Sequence, residues 1–370
     1  MLIIFTKVLM YKRITIKIGS NVLTRPDGSL DVTRMSALVD QIATLRHQGI
    51  EIILVSSGAM ASGRSELGQS VDRNRLDSVE QRQLFSAVGQ AKLINRYFDL
   101  FRDYGIPVGQ VLTTKESLGT RGHYLNQRGC MMVMLDNGVL PIVNENDTIS
   151  VTELMFTDND ELSGLIATMM DAEALIILSN IDGIFTGSPS DPEARLIRKV
   201  EPDKDLSDYI QTEKSGFGRG GMKTKSNIAR RVAKEGIPVF IANGKADNIL
   251  PRLINDPDHT PCTAFVAAEV SVSSMKKWIA NSEGFAKGEI HLNEQLSATL
   301  RSDDKATSIL PIGVTNIIGD FERNDIVKVI GADGTEIGVG RTAYSSAEAR
   351  QCIGQRNKKA LVHYDYLYIQ

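Results

Sequence analysis

Residues 13–21 read RITIKIGSN, and this stretch decides the fold. Its alternating, β-branched residues predict a strand over 13–18 that ends at Gly19. Continuous apolar strands are also predicted over 51–55 (EIILV) and 174–178 (ALIIL), with amphipathic helices between them. Strands that are apolar throughout and alternate with helices form a parallel sheet covered on both faces. The fold class predicted is therefore α/β, a three-layer α/β/α sandwich around a mainly parallel sheet.

The same alternation continues along the chain and then stops. Further helices are predicted near 35–45, 77–103, 121–137, 159–171 and 222–235, and further strands over 107–112, 140–143 and 237–241. After about residue 276 the pattern changes to short strands, predicted over 288–292, 308–312, 325–330 and 336–341, with Asp333-Gly334 as a hairpin signal. We therefore expect an α/β/α domain over 10–260, a linker over 261–275 and a small β-rich domain over 276–365.

Composition excludes several classes of function. Of the 370 residues, 42% are hydrophobic and 24% charged, and the net charge of −3 favours neither a nucleic-acid nor a membrane partner. The three cysteines and five histidines are scattered without metal-ligand spacing, which is typical of a reduced, cytoplasmic protein without a zinc site. No apolar run reaches about 18 residues, so no transmembrane helix is expected. Residues 1–9 are interpreted as an upstream translational start or a short extra strand, not a targeting signal.

Ligands of an open parallel sheet bind beyond the carboxyl ends of its strands. Lys17 lies at such an end, and burying its amine is costly unless it meets an anion. Gly19 and Ser20 would let backbone amides approach a phosphate. The alternative is an edge lysine whose amine stays in solvent. Ser57 and Gly58 follow the second strand and open a helix, which is either an anion site or a simple serine cap.

Two polar clusters follow later strands. Asn144-Glu145-Asn146-Asp147 comes after the strand at 140–143, and Thr157-Asp158-Asn159-Asp160 opens a helix. Carboxylates at a helix start are usually caps, but two clusters beside a buried lysine favour a binding site. Ser179-Asn180 follows the strand at 174–178 in the same way.

A glycine-rich loop precedes a basic helix start. Residues 216–221 match G-x-G-x-x-G, but no strand directly precedes them, so a dinucleotide fingerprint is rejected. Lys223 and Lys225 lie in the first turn of the next helix, where cations oppose the helix dipole. This arrangement favours phosphate binding over a solvated basic loop. No Walker A or protein-kinase motif occurs, so any phosphoryl transfer must use different parts.

The order of these motifs resembles the amino acid kinase family. The matching segments are IKIGSN (16–21), VSSGA (55–59), VNEND (143–147), DND (158–160) and GGMKTK (220–225). The tail, through Lys277-Trp278, Lys287-Gly288-Glu289-Ile290 and Gly319-Asp320-Phe321, resembles a PUA domain. The likeness covers nearly everything after residue 12. It implies the amino acid kinase fold followed by a PUA-like domain.

Within the family, the motifs most resemble members that phosphorylate the γ-carboxylate of L-glutamate, the first step of proline biosynthesis. The resemblance implies ATP and Mg²⁺ as co-substrate and cofactor, and γ-glutamyl phosphate and ADP as products. It implies that Lys17 and Lys225 hold the transferring phosphoryl group and the leaving phosphates, and that Asp158 orients the two amines.

The remaining roles also come from the resemblance. Glutamate binding is implied for Ser57, Gly58, Asp147 and Asn159. Nucleotide binding is implied, besides the two lysines, for Ser179, Asn180, Arg219, Gly220, Gly221, Met222, Lys223 and Thr224. Asp160 is expected to assist a magnesium ion held largely by phosphates and water. Ser179-Asn180 replaces the Thr-Asp of many members, and Arg219 and Lys223 add positive charge to the loop.

The resemblance further implies feedback inhibition by proline, a homo-oligomer (dimer or tetramer) and a glutamyl-phosphate reductase as partner for the labile product. Two alternatives remain open: another carboxylate or carbamate kinase of the same fold, and an RNA-binding regulatory protein acting through the PUA domain. From residue 276 onward there are 12 Lys/Arg against 12 Asp/Glu, a poor electrostatic footprint for RNA.

Overall fold

The computed structural model describes residues 11–369 apart from 69, 73–74, 116–117, 119–120, 150–155, 157, 189–190, 203–205, 207–220, 270–285 and 303–306. The expectations for residues 1–9, Arg219 and Gly220 lie outside the described residues. The chain divides into two compact units. The larger takes in the described residues of Met1–Lys115 and Asn126–Ser271, and the smaller those of Glu116–Leu125 and Val272–Gln370. None of the described helices is long and apolar enough to cross a membrane.

The described part of the larger unit is built on an eight-stranded sheet. Its strands lie in the order β3-β4-β2-β1-β5-β7-β8-β6. They are β1 (Arg13–Ile18), β2 (Glu51–Ser56), β3 (Val108–Thr113), β4 (Leu140–Glu145), β5 (Ala174–Ser179), β6 (Lys199–Val200), β7 (Val239–Asn243) and β8 (Cys262–Phe265). All pairs from β3 to β7 are parallel, and β8 runs antiparallel to β7. The predicted mainly parallel sheet is confirmed.

Helices connect these strands and pack on the sheet. They are α1 (Ser20–Leu23), α2 (Val32–His47), α3 (Ala59–Leu67), α4 (Ser78–Arg102), α5 (Arg121–Asp136), α6 (Asn159–Met169), α7 (Met222–Lys234) and α8 (Ile249–Asn255). One buried cluster joins α2 and α4 to β1 and β2, and another joins α7 to β5 and β7. The central strands are therefore buried on both faces, which explains their continuous apolar sequence.

The sheet extends further along the chain than the sequence indicated. Cys262–Phe265 lies within the predicted linker of 261–275, but it forms β8 and pairs with β7 and β6. Cys262, Thr263 and Phe265 are all buried. The first domain therefore continues beyond residue 260, because this strand completes the edge of the large sheet.

The described part of the smaller unit is a five-stranded sheet in the order β10-β9-β11-β12-β13. Its strands are β9 (Gly288–Leu292), β10 (Val314–Gly319), β11 (Ile326–Ile330), β12 (Glu336–Thr342) and β13 (Val362–Ile369), and its helices are α9 (Glu294–Arg301) and α10 (Ser346–Cys352). The strand predicted over 308–312 is wrong. Ile309 makes an isolated bridge to Val362, and Pro311–Gly313 form a 3-10 turn that begins at a proline, a residue without a backbone donor.

Helices α3 and α4 approach each other closely through glycine. A Cβ atom at Gly63 would lie 1.8 Å from the carbonyl oxygen of Phe85, and one at Gly89 would lie 1.7 Å from that of Ala59. Real side chains never approach a backbone oxygen so closely. The two helix backbones are therefore in direct contact, and this contact fixes α4 against the loop that follows β2.

We expect Gly89→Ala to lower the free energy of unfolding by about 1–3 kcal/mol or more, because the added methyl group must push the two backbones apart. Urea denaturation measures this change. Gly129→Ala is the matched control: it lies in helix α5, where a Cβ atom would meet nothing within 4 Å. The control should be neutral or stabilising by up to about 1 kcal/mol. Equal stability of the two variants would contradict the close contact.

Candidate active site

The predicted site residues lie beyond the carboxyl ends of four neighbouring strands. In the sheet order, β4, β2, β1 and β5 are adjacent and parallel, so their carboxyl ends form one edge. Lys17 pairs in register with Val55 of β2 and Ile177 of β5, one residue before the end of β1. This is the edge at which open parallel sheets bind ligands.

Two lysines from opposite ends of the first domain share one carboxylate. Nζ of Lys17 lies 2.6 Å from Oδ1 of Asp160, and Nζ of Lys225 lies 3.0 Å from Oδ2 of the same residue. The exposed fractions of the Lys17, Lys225 and Asp160 side chains are 6%, 12% and 1%. A concentration of positive charge is thereby held at the strand ends.

Helix packing brings Lys225 to this point. Asp160 lies in the first turn of α6 and Lys225 in the first turn of α7. A Cβ atom at Gly164 of α6 would lie 2.9 Å from Ile228 and 3.0 Å from Val232 of α7, so the two helices are closely packed. Their N-termini therefore converge on the end of β1.

The structure corrects the role predicted for Asp158. Its side chain caps α6, since Oδ1 accepts hydrogen bonds from the backbone N–H groups of Asp160 (2.9 Å) and Glu161 (3.1 Å). The carboxylate between the two amines is that of Asp160. An N-cap side chain turns back to its own helix, whereas a residue two positions further along is free to face the neighbouring strand. The prediction that Asp158 orients the lysines is therefore replaced by Asp160.

The two aspartates differ in their charge environment. Burial, followed by the charge of Asp160, raises the pKa of Asp158 to about 6, although both lysines act to lower it. Burial would also raise the pKa of Asp160, but the ammonium groups of Lys17 and Lys225 outweigh it and lower that pKa. Asp160 is thus held ionised between its partners. Oδ2 of Asp158 is buried and has no hydrogen-bond partner among the described residues.

The geometry does not fit Asp160 as a magnesium ligand. Both of its carboxylate oxygens already contact an ammonium group. Among the described residues, no group of three or more histidine, cysteine, aspartate or glutamate side chains could hold a metal ion. In the described part of the chain, Oδ2 of Asp158 has neither a hydrogen-bond partner nor an ion-pair contact, whereas each oxygen of Asp160 contacts an ammonium group.

The residues predicted to bind glutamate form two hydrogen-bonded groups. In the first, the amide nitrogen of Asn159 donates to Oγ of Ser57 and to Oδ1 of Asn144, each at 3.0 Å. This chain joins the ends of β2 and β4 to the start of α6. Gly58, with a φ of +107°, turns the backbone from Ser57 into α3, a conformation that favours glycine. Oδ1 of Asn159 is buried without a partner in the described part of the chain.

The second group is centred on Asp147. Its Oδ1 accepts a hydrogen bond from Nε of Arg82 at 2.7 Å and forms an ion pair with Nη2 of the same residue at 2.6 Å. Its Oδ2 accepts a hydrogen bond from Ser86 at 3.2 Å. Nη2 of Arg82 also lies 3.5 Å from Oε2 of Glu145. Arg82 and Ser86 were not predicted from the sequence, because they lie on a helix about 60 residues before Asp147. Their spacing of four on an amphipathic helix was the one available signal.

The residues predicted to bind nucleotide lie at the same edge where the structure describes them. Ser179 ends β5 beside β1, and the exposed Asn180 follows it. Gly221 is the N-cap residue of α7 and makes no side-chain cap, and Met222, Lys223, Thr224 and Lys225 form the first turn. Free backbone N–H groups at a helix start are suited to phosphate.

Comparison with known sequences identifies the family. The profile of the Amino acid kinase family matches residues 12–243, more than half of the chain. The chain belongs to the amino acid kinase family. A PUA domain profile matches residues 288–363.

The relatives of this amino acid kinase are similar along nearly the whole chain. It is 66% identical to the glutamate 5-kinase of Bacteroides thetaiotaomicron, with 97% of this chain and 99% of the relative covered. It is 44% identical to the glutamate 5-kinase of Chlorobaculum tepidum, with 97% and 98% covered. Among solved structures, it is similar to the UMP kinase of Bacillus anthracis at 19% identity, over 71% of this chain and 98% of that one, with a TM-score of 0.48.

We expect Asp160→Asn to lower the free energy of unfolding by about 3 kcal/mol, because two buried ammonium groups lose the charge that compensates them. Thermal or urea denaturation without nucleotide measures the effect. Asp99→Asn is the control, since Asp99 forms an exposed ion pair with Arg102. It should change stability by less than about 1 kcal/mol. Similar losses in both variants would contradict the role of Asp160 as the buried bridge.

Proposed function

We propose that this amino acid kinase uses ATP to phosphorylate the γ-carboxylate of L-glutamate, giving γ-glutamyl phosphate and ADP, as the first step of proline biosynthesis. The observation that carries the proposal is the buried Lys17–Asp160–Lys225 arrangement at the strand ends. The names of the relatives, both glutamate 5-kinases, support glutamate as the acceptor.

The chemistry requires little covalent help from the protein. The acceptor is already a carboxylate, so no general base is needed. Phosphoryl transfer depends on in-line placement and on neutralising the charge of the phosphates. Lys17 and Lys225 provide two ammonium groups for the transferring group and the leaving phosphates, and Asp160 relieves their mutual repulsion in the free protein.

The nucleotide site is proposed along α7 and the end of β5. The backbone N–H groups at the start of α7 and the ammonium of Lys225 would hold phosphates, with Ser179 and Asn180 nearby at the end of β5. Magnesium would accompany ATP, held by phosphate oxygens and water, with Asp158 as the acidic residue that has a carboxylate oxygen to spare. Bound there, the ion would neutralise charge on the phosphates.

The acceptor site is proposed around the two hydrogen-bonded groups. Asp147 supplies a carboxylate that suits the α-ammonium group of glutamate. Ser57 and Asn159 supply a hydroxyl and an amide that suit its α-carboxylate. These groups lie on the β2 and β4 side of Lys17, while the proposed nucleotide site lies on the β5 side. Acceptor and donor would therefore meet at the lysine.

The acceptor is tested by an assay of ADP release with glutamate, N-acetylglutamate, aspartate and carbamate. We expect free glutamate to have the highest kcat/KM, because the proposed pocket binds both its α-ammonium and its α-carboxylate group. Another carboxylate or carbamate kinase of the same fold would prefer one of the other acceptors. Such a preference would overturn the assignment to glutamate.

We expect Lys17→Ala and Lys225→Ala each to lower kcat by about 10²–10³, because each removes a donor to charge that develops during transfer. Steady-state kinetics with saturating ATP and glutamate measures the loss. Lys234→Ala, at the exposed end of α7, is the matched control and should retain wild-type turnover. Near-normal kcat in both site variants would refute the roles of the two lysines.

Other expectations for this amino acid kinase remain proposals. They are feedback inhibition by proline, assembly into a dimer or tetramer, a cytoplasmic location, and transfer of the labile product to glutamyl-phosphate reductase. The reason for the last is chemical, since an acyl phosphate hydrolyses unless it is consumed. The balanced charge of the PUA-like domain is a reason not to expect RNA binding.

A further inference from the structure

Arg82 is a buried cation on α4 that lies against the proposed acceptor site. It contacts Oδ1 of Asp147 through two nitrogens, at 2.7 and 2.6 Å, and Oε2 of Glu145 at 3.5 Å. The exposed fractions of the Arg82, Asp147 and Glu145 side chains are 6%, 13% and 7%. Charges buried this deeply cost several kcal/mol each unless they are paired. The three side chains therefore hold one another in place.

One face of α4 makes two further hydrogen bonds, one to the last residue of β4 and one to the loop that follows it. Ser86 donates to Oδ2 of Asp147 at 3.2 Å, and Gln90 donates to the backbone carbonyl of Glu145 at 3.2 Å. Positions 82, 86 and 90 follow one another at intervals of four residues, so they lie on one side of the helix. Both oxygens of the Asp147 carboxylate are thus fixed from a single rigid element.

The carboxylate of Asp147 still has negative charge near it that is not neutralised, and it can accept a further hydrogen bond. One guanidinium stands against two carboxylates, so the group of Arg82, Asp147 and Glu145 carries one net negative charge. Oδ2 of Asp147 accepts the Ser86 hydroxyl, whereas a carboxylate oxygen can accept two hydrogen bonds. The α-ammonium of a free amino acid would supply a positive charge and a donor together. An analogue that lacks the amine supplies neither.

We propose that Arg82 is a positioning residue that, with Ser86, holds Asp147 where it receives the α-ammonium group of the substrate. The arrangement makes a free α-amine a condition of tight binding. The inference rests on the proposed function, in which Asp147 binds the α-ammonium group of glutamate. It goes further in assigning selectivity for that amine to side chains of α4 that do not themselves bind the substrate.

The test compares L-glutamate with glutarate, which has the same two carboxylates but no amine. Arg82→Lys keeps the positive charge but removes the paired contacts of Nε and Nη2 with Oδ1 of Asp147. We expect KM for glutamate to rise about tenfold, the cost of a misplaced charged hydrogen bond, while kcat stays within about threefold. The inhibition constant of glutarate against glutamate should stay within about twofold, because glutarate has no group for Asp147.

A second variant and a control guard against a folding defect. Ser86→Ala removes only the donor to Oδ2, and we expect it to raise KM for glutamate about threefold or more, with the glutarate constant again unchanged. Arg102→Lys, an exposed position on the same helix, should leave both constants unchanged. A general loss of structure would instead move the glutamate and glutarate constants together.

Two results would overturn the inference. One is an unchanged KM for glutamate in both Arg82→Lys and Ser86→Ala, and the other is a parallel rise of the glutamate and glutarate constants by the same factor. Either can be observed only if the unaltered protein phosphorylates glutamate. If the unaltered protein does not, the proposed function itself fails, so the two failures are distinguished by the wild-type assay.

Discussion

The carboxylate of Asp160, buried between two ammonium groups, is the interaction on which the rest of the site depends. Two lysines brought within reach of one triphosphate would repel each other unless a negative charge lay between them. Asp160 supplies that charge, because each of its oxygens contacts one amine. The protein itself therefore holds the two amines at one point. Such preorganised positive charge is what favours phosphoryl transfer.

This interaction constrains the surrounding fold. Lys17 is placed by a central strand, whereas Asp160 and Lys225 are placed by the first turns of α6 and α7. The helices must pack closely for their N-termini to converge, and the glycine at position 164 allows that approach. Glycines at 63 and 89 let the backbones of α3 and α4 touch. Helix α4 in turn contacts Asp147 in the loop after β4.

Charge is balanced separately in two neighbouring groups. The lysine pair has Asp160 as its shared partner, and Asp147 and Glu145 have Arg82 as theirs. The first group is suited to the phosphates of the donor and the second to the amine of the acceptor. Opposite surplus charges on the two groups give a physical reason why a negatively charged nucleotide and an ammonium-bearing acceptor would bind in the correct places.

The sequence by itself determined the parallel strands β1 to β5 and β7 and the residues that follow them, because apolar periodicity is a local property and parallel strands place their carboxyl ends together. It therefore predicted Lys17, Ser57 and Asp147 at one edge of the sheet, whereas placing Asn159 and Lys225 in the same site rested on the resemblance to the amino acid kinase family. Only the tertiary structure decided that Asp160 and not Asp158 joins the lysines, since this depends on which way each side chain leaves the start of α6. It also decided that Arg82 is buried and that β8 completes the sheet. These last two features depend on contacts between segments distant in sequence, which no local pattern records.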